Sequence, residues 1–161
     1  MLSLIIATVA ISLTLYTVIQ GRNRSRCDAY FRVQELLMRS DVHEGRALLY
    51  EANSTRVLPV DDKDLMGKVY RALATLNAAA SLAYRGAVPL AWILDYWHHN
   101  LREVQLGYEL AVQSRESWRP MPWPDLTRLI TDAQSYRCPA CLSLSPQSAV
   151  ETERPSMPPE P

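Results

Sequence analysis

The chain has 161 residues, enough for one folded domain beside any anchor or tail. Its 17 Lys and Arg balance 17 Asp and Glu, so it has no net positive field to hold nucleic acid. A hydrophobic share of 48% excludes a disordered polymer, and three cysteines, Cys27, Cys138 and Cys141, cannot form a closed disulfide framework.

Residues 2–19 read LSLIIATVAISLTLYTVI, with no charge. As a helix this run rises about 27 Å, close to the roughly 30 Å hydrocarbon core of a bilayer. A cleaved signal peptide would need a positive leader and a small-x-small cleavage site, and neither is present. A core or interfacial helix would carry a polar or charged face, and none is evident. The expectation is a transmembrane anchor over residues 1–21. Arg22, Arg24, Arg26 and Arg32 follow it, and basic residues favour the cytoplasmic side. That makes a single-pass protein of the cell (inner/plasma) membrane, N-terminus outside, with residues 22–137 as a cytoplasmic helical domain. Thr8 with Ser12, and Ala10 with Thr14, form small-xxx-small pairs that would allow a homo-oligomer.

Beyond the anchor the expected fold is all-α, a small bundle of four to five helices. Asp28 opens a helix whose apolar face would hold Phe31, Leu36, Leu37, Tyr30 and Val33. Asp41 with Glu44 resembles a capping box for a second helix ending near Asn53 and carrying Val42, Ala47, Leu48 and Leu49. Asp61, Asp62 and Asp64 place negative charge at a third start, where the helix dipole favours it. Residues 62–85 then repeat Leu65, Val69, Leu73, Leu76, Ala80 and Ala83 at three- and four-residue steps. Gly86 follows as the residue after the C-cap. Residues 89–116 keep Ile93, Trp97, Leu101, Val104, Tyr108 and Ala111 on one face. His98-His99-Asn100 and Gly107 leave one kinked helix and two helices both open. Residues 118–124 hold three prolines in five positions and cannot be regular helix. A last helix starts near Asp125, packs Leu126, Leu129 and Ile130, and fades near Tyr136. Residues 138–161 are Ser- and Pro-rich without periodicity and read as a disordered tail.

Few residues offer chemistry. Cys138-Pro139-Ala140-Cys141 is a C-x-x-C pair that ends a helix, whereas a redox pair opens one and a zinc site needs two further ligands. Asp95-x-x-His98 resembles half of a di-iron carboxylate motif, but no second copy follows. Asp95, His99 and Glu103 step at ordinary helix-surface spacing. Asp95, His98, His99, Cys138 and Cys141 are therefore the metal or thiol candidates, against a plainer structural reading of each. No cofactor is implied. Asn77, inside the third stripe, suits a buried amide bonded to a neighbouring helix. Trp92, Tyr96, Trp97 and Tyr108 read as core, while Trp118 and Trp123 offer either a small docking surface or a fold-back onto the core.

The residues Leu73-Ala74-Thr75-Leu76-Asn77 and Ala83-Tyr84-Arg85-Gly86-Ala87-Val88, followed by Tyr96 and Trp97, resemble a bacterial and phage family of unknown function. Leu76, Asn77, Ala83, Arg85 and Gly86 carry the likeness. It implies an N-terminal membrane anchor before a small helical domain, and no activity. The function expected is a non-catalytic, membrane-tethered interaction or scaffold module with an unidentified protein partner. Two alternatives stand beside it: a metal- or thiol-dependent enzyme using the candidates above, and a membrane-active effector working through the span.

Overall fold

The computed structural model describes residues 2–114 and 123–138, with backbone alone for residues 2–6 and 8. All regular structure among the described residues is helical: α1 (Leu2–Met38), α2 (Ser40–Thr55), α3 (Lys63–Tyr84), α4 (Leu90–Glu103), α5 (Gln105–Gln113) and α6 (Pro124–Ser135). The all-α reading holds, with six helices where a span plus four or five was expected. Residues 139–161, including Cys141, and residues 115–122, including Trp118, lie outside the description.

The membrane assignment does not survive. Among the described residues, no helix is long and apolar enough to cross a membrane. Helix α1 does not set the uncharged run of residues 2–19 apart as a separate element. The helix then continues without a break through Gln20, Arg22, Arg24, Arg26, Asp28 and Arg32. The single-pass placement, with the N-terminus outside and a cytoplasmic domain, is withdrawn.

Helix α3 is the hub, packing on α2, α6, α4 and α1. Its stripe is buried at Val69, Leu73, Leu76, Ala80 and Ala83, with Met66, Ala72 and Ala79 beside it. Each large aliphatic removed from water contributes about 1.5–3 kcal/mol. Asp62 caps α3, accepting from the backbone N–H groups of Asp64 at 2.9 Å and Leu65 at 3.0 Å. At the other end Gly86 takes φ +76°, and the amides of Gly86 and Ala87 bond the carbonyls of Ala83 and Leu82. That is a Schellman ending, and the left-handed residue in it is glycine because a Cβ would strain there.

Two glycines let helices meet at the backbone. A Cβ on Gly45 of α2 would stand 2.2 Å from the Lys68 carbonyl oxygen of α3. A Cβ on Gly107 of α5 would stand 2.8 Å from the Leu49 carbonyl oxygen of α2. Residues 90–113 form two helices, broken at Val104. Beside the break, the Asn53 side-chain amide donates to the Glu103 carbonyl.

Helix α6 is held at both ends by other helices. Trp123 precedes it with no side-chain cap, and Pro124 fills its first turn. The Asn77 side-chain oxygen accepts from the Leu126 N–H at 3.0 Å, supplying a cap from α3. At the far end Arg102 donates to the carbonyls of Ala133 at 2.9 Å and Tyr136 at 2.8 Å. The expected capping box at Asp41 does not form. Asp41 accepts instead from Arg71 of α3 at 3.0 Å, and Glu44 pairs with Lys68 at 2.6 Å.

Candidate functional site

Helix α1 joins the bundle through Val33 and Leu37, each 1% exposed, with Ala29 and Tyr30 partly buried. That spacing turns Phe31 and Leu36, expected inside, to the outer face at 68% and 43% exposure. The same happens on α4: Trp97 is 2% exposed, but Tyr96, one residue earlier, is 61% exposed and Trp92 37%. Two of the four aromatics read as core therefore lie at the surface.

They meet at one seam. Tyr30 of α1 stands edge-on to Trp92 of α4, ring centres 5.6 Å apart at 78°, and Phe31 lies 6.1 Å from Tyr30. Tyr30, Trp92, Asp95 and Tyr96 line a groove of about 250 Å³. A wider groove of about 590 Å³ runs between α1 and Leu82 of α3, with Ala29, Val33 and Leu36 below and Arg24, Asp28 and Arg32 at its edge.

The metal candidates are not drawn together. Asp95 is exposed and accepts a hydrogen bond from the Tyr136 hydroxyl. That bond, ahead of burial, raises the Tyr136 phenol above its ordinary pKa. His98 is buried at 2% exposure, and its Nδ1–H donates to the Leu94 carbonyl at 2.9 Å. That carbonyl can only accept, so the proton sits on Nδ1. The rings of exposed His99 and of Tyr136 lie 3.9 and 5.5 Å from the His98 ring. Cys27 and Cys138 are half-buried thiols. Among the described residues, no group of three or more His, Cys, Asp or Glu could hold a metal ion.

Asn77 and Trp123 have structural duties. Trp123 is 6% exposed, stacked 6.1 Å from Tyr70 and set edge-on to Tyr108. It folds back on the core.

Arg46 is the feature that the sequence reading missed. It is 5% exposed, and its guanidinium lies 4.6 Å from the centre of the Trp97 ring. Such stacking stabilises a poorly hydrated cation by about 0.5–2 kcal/mol. Its Nε has no hydrogen-bond partner among the described residues, nor has Nε2 of Gln34, whose oxygen accepts from the Trp97 indole at 3.2 Å. The Tyr50 phenol, also bonded to Arg46, is pushed up mainly by burial. One signal was available: Val42, Gly45, Arg46, Leu49 and Ala52 share the helical spacing of a buried face.

Compared with protein-family models, characterised proteins and solved structures, the chain matches none of them. The likeness carried by Leu76, Asn77, Ala83, Arg85 and Gly86 thus brings no family assignment.

Proposed function

We propose that this protein is a non-catalytic interaction module that binds another protein through the N-terminal half of α1. The observation that carries this reading is the exposure of Val9, Ile11, Leu13, Leu15, Tyr16, Val18 and Ile19, each between 51% and 60%. Successive helical residues turn by about 100°, so these side chains surround the helix rather than forming one stripe. An exposed apolar surface of this kind marks an interaction site.

The polar groups among them are compatible with a dry contact. The hydroxyls of Thr14 and Thr17 bond the carbonyls of Ala10 and Thr14, each at 2.8 Å, and Gln20 donates to the Tyr16 hydroxyl at 2.8 Å. Covering them would strand few hydrogen bonds. Arg22, Arg24 and Arg26 follow, and are exposed. The partner is therefore an apolar surface with an acidic margin.

The test is Leu13→Asn with Leu15→Asn in the full chain. Loss of the native complex with unchanged thermal unfolding of the bundle supports the reading. A complex that persists at the same size contradicts it.

A further inference from the structure

The aromatic seam between α1 and α4 lies on the bundle, away from residues 9–19, and has its own logic. Tyr30, Trp92 and Tyr96 present ring surface around a preformed groove, with Asp95 as one charged point in it. Tyr96 rests on Trp97, ring centres 5.6 Å apart, and Trp97 is core. Tyr96 thus has one side supported by the core, which reduces the ordering that binding requires. Flat, fixed aromatic walls suit the polyproline II helix, which arrives already extended and packs proline rings on aromatic faces.

The chain carries a proline-rich segment. Residues 154–161 read RPSMPPEP. Polyproline II has about three residues per turn and rises about 3.1 Å per residue. In that conformation Pro155, Pro158 and Pro161 would share one edge.

The path of the chain favours this occupant. The Tyr136 hydroxyl is bonded to Asp95, so the described chain ends, at Cys138, two residues beyond a contact with the groove itself. The residues between Cys138 and Pro155 would reach about 23 Å as a flexible coil, more than the return requires. A tethered segment of that length meets its site at an effective concentration in the millimolar range. We propose that the Tyr30–Trp92–Tyr96 groove is the docking site of the chain's own proline-rich segment, residues 155–161. Docked there, the segment covers the exposed faces of Trp92 and Tyr96 and excludes any other proline-rich peptide that is weaker than this local concentration.

The experiment uses the full chain with Tyr96 replaced by p-benzoylphenylalanine, illuminated and mapped by mass spectrometry. The expected result is an adduct within one chain, on residues 154–161, with the same yield across a hundredfold dilution. Combined Pro155→Ala, Pro158→Ala and Pro161→Ala lowers that yield at least tenfold. Unchanged far-UV circular dichroism confirms that the fold is intact. The proposal is overturned by absence of an adduct in the tail, by a tail adduct indifferent to the proline changes, or by adducts that join two chains and fade on dilution. Loss of binding through residues 9–19 moves none of these readouts.

Discussion

Gly45→Ala reads the closest approach in the fold. The added Cβ would lie 2.2 Å from the Lys68 carbonyl oxygen, 2.7 Å from its carbon and 2.9 Å from the Ala72 Cβ. Two of the three obstructing atoms are backbone, so no side chain can swing aside. Ordinary contact begins near 3.4 Å, and α2 and α3 would have to part by more than about 1 Å. A gap of that size forfeits roughly a quarter to a half of the dispersion attraction across the seam. Overpacking of this kind costs about 1–3 kcal/mol, while alanine in place of a helical glycine returns up to about 1 kcal/mol. The net loss expected is about 1–2 kcal/mol. For a domain near one hundred residues that lowers Tm by roughly 5–15 °C. Gly67→Ala is the control. It sits on α3 with nothing within 4 Å of the added atom, so only the helix gain remains and Tm rises by a few degrees, about 0.5–1 kcal/mol. Thermal and urea unfolding followed by circular dichroism separates the two. A Gly45→Ala variant that unfolds at or above the parent temperature, in step with Gly67→Ala, would refute the close crossing.

Asn77→Ala removes the borrowed cap of α6 and is expected to cost about 1 kcal/mol, with Leu126 its first amide to gain hydrogen exchange; unaltered protection at Leu126 would contradict the cap. Arg46→Met deletes a buried, incompletely bonded cation but keeps most of the volume against Trp97. Lost stacking and relieved desolvation are of similar size, so stability should stay within about 1 kcal/mol by urea titration, whereas Arg46→Glu should be severely destabilising. Tyr84 has its phenol pushed up by burial and by the 2.6 Å bond it donates to Asp132. The fold favours the neutral phenol, so this contribution is intact below about pH 10, the unfolded value, and is lost as pH rises above it. Urea midpoints of Tyr84→Phe should fall less steeply than the parent's above pH 10; equal slopes would exclude Tyr84 as a source.

Sequence pattern revealed most of what depends on neighbours along the chain. The stripes of α3, α4 and α6 were legible because Val69, Leu73, Trp97, Leu101, Leu126 and Ile130 fall at helical spacing, and the ends of α3 because Asp62 and Gly86 act locally. What failed depends on distant groups. Asp41 and Glu44 suit a capping box until Arg71 and Lys68 of α3 draw their carboxylates away. The division at Val104 has no proline or glycine of its own, and the contacts beside it come from Asn53 and Leu49 of α2. Hydropathy placed Phe31 and Leu36 inside, although α1 has only the narrow line through Ala29, Val33 and Leu37 to bury. Arg46 was not singled out, although its spacing lay with the core. The metal and thiol candidates showed in the sequence as residue types only, since Asp95 and His98 bond separately to Tyr136 and Leu94. The apolar run of residues 2–19 was evident from composition, but its expected role as a span was not upheld.

The most direct measurement places a photo-crosslinking residue in turn at positions 9, 11, 13, 15, 16, 18 and 19 of the full chain in cells. If another polypeptide covers α1, a discrete adduct of one size appears, from positions on more than one side of the helix. Uniformly absent adducts, or a diffuse smear with no dependence on position, would contradict the interaction-module account.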